Sequence, residues 1–393
     1  MKCSKTYLKL ILSLGFLLFR LFPDEAQPLT IPLQTRLPLD SIIRKSLLHS
    51  LNHFLELKDS PATQNAWVTP GCIPETQILL DELIGIEKNE KLNNNSYYAA
   101  SLRNIVKQDD SSWLIQITYL NSSDSLTDLR LFFNIIGKRD GDNWSFHSPL
   151  KQNTEGWKTL KRKSVVFHYK NTINTKNATN YAKMVYKFDR KLKSSITFTD
   201  YYCCENFPEA ERLAGIEFKS DYNGFRRNSF LTHLQNSSLH INGIFGSRMR
   251  EVDPHDLWHS RLHYVVSVSV INRPVDEGTA YLNGGSWGIS WRVILKTFKV
   301  WAAAHPDADW LALYNESKNF DEKSGFPLNV DMVINALIVQ KLEKEKGINA
   351  VLELVSCGKK TKDNENYFKA LEKQTGISKS SFNMEIAKLI NES

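Results

Sequence analysis

The chain has 393 residues, of which 41% are hydrophobic, and a formal net charge of +7. The length favours two domains over one, and the apolar content is enough for hydrophobic cores, which excludes a wholly disordered chain. Apart from the run Lys161-Arg162-Lys163 the basic residues are dispersed, so the charge pattern argues against nucleic acid as a partner.

The first 26 residues have the layout of a secretory signal peptide. Lysines precede an apolar stretch from Leu10 to Phe19, and a polar break follows at Pro23 and Asp24. The apolar stretch is short for a membrane span and is followed by Arg20, which favours cleavage after Ala26 over an uncleaved anchor. We predict an exported protein, periplasmic or extracellular, with no membrane span after cleavage.

Four cysteines follow this segment: Cys72, Cys203, Cys204 and Cys357. In an exported chain they permit three pairings, and the sequence does not choose among them. The adjacent Cys203 and Cys204 could bridge each other only with strain. The alternative is that the cysteines are ordinary small buried residues.

Residues 38–150 are predicted to form an α+β domain. Hydrophobic residues recur at helical spacing from Asp40 to Asp59, and a second helix follows Pro74. The period then changes to two, which predicts strands at Tyr97–Ile105, Trp113–Tyr119, Leu129–Ile136 and Trp144–Phe146. Helices followed by an antiparallel meander resemble the cone-shaped fold of the nuclear transport factor 2-like superfamily. That superfamily hosts both enzymes and inert modules, and we identify no convergent acid–base set in this region.

A polar linker is predicted at Leu150–Lys158, followed by a second domain over residues 157–393. Strands and helices alternate as far as the strand Leu239–Ile244, which could bind an extended peptide if it lies at a sheet edge. Helices dominate from Pro254 onward, with amphipathic candidates at Trp291–Ala303, Met332–Lys344, Ile348–Val355, Asn366–Lys373 and Met384–Ile390. A mixed sheet followed by a helical lobe is an α+β layout.

The segment with the clearest chemistry is His255-Asp256-Leu257-Trp258-His259. Two histidines four residues apart on a helix lie about 40° apart around its axis, so both imidazoles can reach one ion. A carboxylate from the following segment, Asp276–Tyr281, would complete a three-ligand site with an open fourth position. A catalytic zinc needs that arrangement.

These two segments, with Asp253-Pro254 before the first and Val275 before the second, resemble the gluzincin zinc peptidases (peptidase MA-like). That group shares a His-Glu-x-x-His helix and a downstream Glu. The resemblance covers roughly residues 157–393. It implies His255, His259 and Glu277 as ligands of Zn²⁺, Asp256 as the general base acting on metal-bound water, and a peptide or protein as substrate.

Two departures from that pattern keep other interpretations open. Asp256 stands where the group has Glu and is about one methylene shorter, and misplacement on the order of 1 Å can cost about a hundredfold in rate. Pro254 puts His255 in the first helical turn, where Asp253 and Asp256 could simply cap the helix. The alternatives are therefore a catalytically degenerate scaffold with a binding or envelope-structural role, or histidines that are only core or surface residues.

Other residues near the motif are weaker candidates. His263 lies about 12 Å along the helix from His255, so the two cannot share an ion, and we predict a supporting or core residue. Tyr314 is a candidate proton donor by position. The segment Asn283–Trp287 with Trp291 forms either a cleft wall or a helix terminus followed by core aromatics.

Overall fold

The computed structural model describes residues 28–122, 127–221, 228–244, 249–322 and 325–393. The predicted signal peptide, residues 1–26, lies outside them. Within the described ranges, every helix is too short or too polar to cross a bilayer. The fold class is α+β, as predicted.

The chain divides into two compact units. The first ends at Gly156 and also takes in Asn206–Thr232, whereas the second consists of Trp157–Glu205 and His233–Ser393. The predicted linker at 150–158 contains a short helix, α3 (Leu150–Asn153), and ends in a strand, β5 (Lys158–Arg162). It is not a free linker because Leu150 is buried.

The first unit packs helices on an antiparallel sheet. Its helices are α1 (Ser41–Glu56), α2 (Ile73–Leu83), α3 and α5 (Phe207–Ala214), and its strands are β1 (Ala99–Lys107), β2 (Ser112–Ser122), β3 (Thr127–Asp140), β4 (Asn143–His147) and β8 (Ile216–Lys219). The order is β1-β2-β3-β4, with β8 also paired to β3. In the register, Ile117 lies opposite Leu102 on one side and Phe133 on the other, and all three are buried.

His147, at the end of β4, is a buried neutral imidazole. Its Nδ1 lies 3.0 Å from Thr69 Oγ1 and its Nε2 lies 3.1 Å from Gln152 Nε2. Burial, together with the nearby Lys151 and Lys138, lowers its pKa to about 4. Its folded-state pKa is therefore below the unfolded value of about 6.5.

We expect this histidine to make the first unit acid-sensitive. The unfolded state takes up its proton first, so stability falls as the pH drops from about 6.5 to about 4, by about 3 kcal/mol in all. Denaturant unfolding at a series of pH values should show this extra loss in the wild type and not in His147→Asn. Parallel pH profiles of the two proteins would contradict it.

A five-stranded mixed sheet has the order β5-β6-β7-β10-β9. Its further strands are β6 (Val165–Tyr169), β7 (Phe198–Cys203), β9 (Ser229–Leu234) and β10 (Ser237–Asn242). Strands β5, β6, β7 and β10 belong to the second unit, whereas β9 begins before His233, where that unit resumes. Strands β6, β7 and β10 are parallel, whereas β5 is antiparallel to β6. The strand predicted at Leu239–Ile244 is β10, which lies between β7 and β9 and not at a sheet edge, so the condition for binding an extended peptide there is not met.

Helices form the rest of this unit. They are α4 (Thr175–Leu192), α6 (Pro254–Leu262), α7 (Arg273–Gly284), α8 (Trp291–Ala303), α9 (Trp310–Glu316), α10 (Val330–Lys346), α11 (Ile348–Val355), α12 (Glu365–Thr375) and α13 (Phe382–Glu392). The five helices predicted for the lobe are all present, but α10 is not amphipathic, because its residues from Val333 to Val339 are buried on every side. Cys72, Cys203 and Cys204 are buried, as expected of small core residues, and Cys72, Cys203 and Cys357 form no disulfide.

Helices α7 and α10 approach closely at Gly278. A Cβ built there would lie 2.5 Å from Asn335 Cβ and 2.8 Å from the backbone nitrogen of Ala336. We expect Gly278→Ala to lower the free energy of unfolding by about 1–3 kcal/mol through overpacking, measured by denaturant titration. Gly71→Ala is the matched control, since its new methyl group would meet open space, and an equal loss in both variants would refute the packing argument.

Candidate metal centre

Helix α6 begins as its sequence predicts. Asp253 accepts the backbone N–H of His255 at 2.9 Å, and Pro254 is the first helical residue. The histidines at positions 255 and 259 therefore project from successive turns of one face. Their side chains are about nine-tenths buried, at 12% and 11% exposure.

Three predicted ligand atoms converge between α6 and α7. His255 Nε2 lies 3.1 Å from His259 Nε2, and Glu277 Oε2 lies 3.2 Å from the first and 3.6 Å from the second. Tetrahedral zinc bonds of about 2.0–2.1 Å place ligand atoms about 3.3 Å apart. The three side chains therefore surround a gap that fits an ion of this size.

The far nitrogen of each ring is fixed by a hydrogen bond. His259 Nδ1 lies 2.6 Å from Asp276 Oδ1, and His255 Nδ1 lies 2.6 Å from the carbonyl oxygen of Gly285. Since a carbonyl and a carboxylate can only accept, both Nδ1 atoms carry the proton. Both Nε2 lone pairs are thereby left for a metal, a support found behind most metal-binding histidines.

The site favours positive charge. Although burial opposes it, hydrogen bonds to Asp276 and Glu277 raise the pKa of His259 to about 9. The two imidazoles and Arg273 hold the pKa of Glu277 well below its usual range, again against burial. The carboxylates are thus ionised at neutral pH, and a divalent ion bound here would displace the second ring proton of His259 from Nε2 and take over its charge.

Arg273, in the first turn of α7, holds the side of the carboxylates that faces away from the gap. Its guanidinium contacts Glu277 Oε1 and lies 3.3 Å from Asp276 Oδ2. Glu277 is therefore left with one oxygen, Oε2, facing the histidines. Sequence reasoning missed this arginine, although its spacing of four residues before Glu277 on a helix is a usable signal.

A second group, His259, His263 and Asp276, overlaps the first. His263 Nε2 lies 3.4 Å from Asp276 Oδ2. The atom that His259 would contribute to this group is Nδ1, which already donates its proton to Asp276 Oδ1 at 2.6 Å. That distance is too short for two ligands of one tetrahedral ion, so the first group is the better candidate and His263 supports it through Asp276.

The other candidates lie in different settings. Asp256 is exposed and is not among the converging ligand atoms. The Tyr314 hydroxyl accepts a hydrogen bond from Asn335 Nδ2 inside the lobe, where its ring stacks on Tyr367, so it packs in the core. Helix α7 ends at Gly284, and Trp291 packs against the core, as the helix-terminus alternative predicts. Trp287 differs from it, because its side chain is 53% exposed and stacks on Phe326.

Two side-chain hydrogen-bonding contacts connect α6 to the neighbouring helices. Arg261 forms a double hydrogen bond with Asp189 of α4, at 2.7 Å from both Nε and Nη2, and both residues are buried. Trp258 Nε1 donates to Thr279 Oγ1 of α7 at 2.8 Å. These contacts hold the two ligand-bearing helices in place. The ion pair of Arg261 with Asp189 could not be predicted from sequence patterns, because its partners are 72 residues apart.

A scan against protein-family models finds no match for the chain, and a search of curated proteins finds no similar sequence.

Proposed function

We propose that the protein binds one Zn²⁺ ion through His255, His259 and Glu277 and hydrolyses peptide bonds with it. The observation that carries this proposal is the near-equal spacing of the three ligand atoms, 3.1–3.6 Å. Two imidazole nitrogens and one carboxylate oxygen suit zinc, and three protein ligands leave a position for water or substrate. The resemblance to the gluzincins implies a peptide or protein as substrate, which the enzyme would encounter after export.

Each residue has a defined task in this scheme. Zinc at such a site supplies Lewis acidity, which polarises a substrate carbonyl and lowers the pKa of water. Asp256 takes up a proton on a carboxylate oxygen as water attacks and passes it to the leaving amine. Asp276 and the Gly285 carbonyl keep the imidazoles oriented, and Arg273 keeps Glu277 turned towards them.

Metal content tests the binding half of the proposal. Protein purified without added chelator and dialysed against metal-free buffer should retain about one zinc per chain by atomic absorption. Folded protein that holds no zinc after incubation with an equivalent of ZnSO₄ would reject it. Circular dichroism of the same sample establishes that it is folded.

Asp256 tests the catalytic half. If it is the base, Asp256→Asn should lower kcat/KM on a quenched peptide library by about a hundredfold or more and leave the zinc content unchanged. Asp253→Asn is the matched control, since its carboxylate caps the helix and an amide oxygen caps about as well.

One observation favours a second candidate, a zinc-binding scaffold without hydrolytic activity. The short side chain of Asp256 is exposed at the first turn of α6, where it can serve as a helix cap alone. In that case neither the wild type nor Asp256→Asn turns over peptides in their zinc-loaded forms. Turnover that appears only in Asp256→Glu would identify a site disabled at its base.

A further inference from the structure

The first unit contains a cavity of about 290 Å³ that the zinc proposal does not involve. One wall is a single face of α1, formed by His49, Asn52, His53 and Glu56, which follow the helical spacing of one stripe. The opposite wall includes Tyr119 of β2. Its volume is at the lower end of the range for small-molecule sites.

Tyr119 contributes a polar group, its hydroxyl, to the lining residues of the cavity. It is 2% exposed and lines the cavity, and its hydroxyl has no hydrogen-bond partner in the part of the chain that the structure describes. Burial raises its pKa well above the usual range, so the hydroxyl keeps its proton. A hydroxyl that borders a cavity and has no partner within the protein is available to a ligand in that cavity.

The charges around the cavity select the kind of ligand. Glu56 and Glu87 line it, and lysine and arginine are absent from its lining. Behind this lining, the buried Lys58 lies between Glu87 at 2.9 Å and Asp59 at 2.8 Å. Glu56, Glu87, Asp59 and Lys58 carry formal charges that sum to −2, so an anion is disfavoured and a cation is favoured.

His53 and Glu56, at the C-terminal end of this face of α1, offer contacts for such a cation. Glu56 accepts a hydrogen bond from His53 at 2.7 Å, and the His53 ring stacks on Trp67 with centroids 5.6 Å apart. Among the described residues, the groups that converge closely enough for a metal ion contain residues of the second unit only. An organic cation therefore fits the cavity better than a bare metal ion.

We infer that the first unit binds a small organic amine in its ammonium form. The ammonium group donates hydrogen bonds to Glu56 and Glu87, and the Tyr119 hydroxyl hydrogen-bonds to the same molecule. The apolar side chains of Leu29 and Leu55, which also line the cavity, cover its hydrocarbon part. This site is independent of the zinc proposal, because it lies in the other unit.

The test is a titration of the full chain, freed of metal with EDTA, with benzylamine, cyclohexylamine and benzoate. Calorimetry and saturation-transfer NMR should detect at least one amine and not benzoate. Removal of metal excludes an amine that ligates zinc. Failure of both amines to bind, or equal binding of benzoate, would overturn the inference.

Variants locate the binding. Glu56→Gln should weaken amine binding by about tenfold, as loss of a hydrogen bond to a charged group does, and Tyr119→Phe by a few-fold. Glu56 is 51% exposed and its ion pair is with the neighbouring His53, so its variant is expected to fold. Glu90→Gln, an exposed carboxylate outside the lining, should bind as the wild type does, and equal affinity in all four proteins would place the amine elsewhere and refute the site.

Discussion

Replacing His255 with alanine is expected to lower the affinity for zinc by about a thousandfold, whereas His263→Ala should change it by less than about tenfold. The two overlapping groups share His259 and differ in their second histidine and their carboxylate, so His255 and His263 distinguish them. Loss of one ligand out of three removes roughly a third of a binding free energy of about 10–16 kcal/mol, and each 1.4 kcal/mol is tenfold. Partners that directly support a ligand typically affect affinity by about tenfold to a hundredfold. His263 contacts Asp276, which supports His259, so it is one step further from the ion and should have a smaller effect.

Competition of each variant against a chromophoric zinc chelator measures both effects on one scale. The variants differ by one imidazole on the same helix face, so each controls for the other. A larger loss in His263→Ala than in His255→Ala would place the ion in the second group and reject the ligand set proposed above. Equal losses in both would indicate a change in α6 as a whole.

The convergence of the three candidate ligands could be predicted because their spacing is local. His255 and His259 share a helix face by periodicity alone, and Glu277 follows in a motif that the sequence displays. The supporting contacts could not be predicted. Gly285 reaches His255 only because α6 and the end of α7 nearly touch at Gly284, where an added Cβ would lie 2.4 Å from the His255 nitrogen. That approach depends on interhelical packing, which periodicity does not encode.

The limits of the fold prediction have a similar origin. The strands of the first sheet show in the sequence because one face is buried, as the alternation of Leu131, Phe133 and Ile135 in β3 demonstrates. Strand β5 has mostly exposed side chains and lies at a sheet edge, so it carries no alternation. The return of the chain to the first unit depends on β8 pairing with β3, a contact between residues more than 80 positions apart.

The second large effect is expected at the buried ion pair that anchors α6. Asp189→Ala should lower the free energy of unfolding of the second unit by about 3–5 kcal/mol, measured by denaturant titration. The variant leaves the Arg261 guanidinium, which is 2% exposed, without its partner. As a control, Glu345→Ala removes one half of the more exposed pair with Lys341 and should cost less than about 1 kcal/mol.

The size of this loss reflects the unpaired charge rather than the strength of the pair. Burial raises the pKa of Asp189 even though Arg261 opposes the shift, so desolvation offsets much of the attraction. Replacing both partners, as in Asp189→Leu with Arg261→Met, should therefore recover most of the stability lost in Asp189→Ala. If the double variant is as unstable as the single one, the pair itself stabilises α6. The position of His255 and His259 would then depend on this contact, and zinc affinity should fall in both variants together.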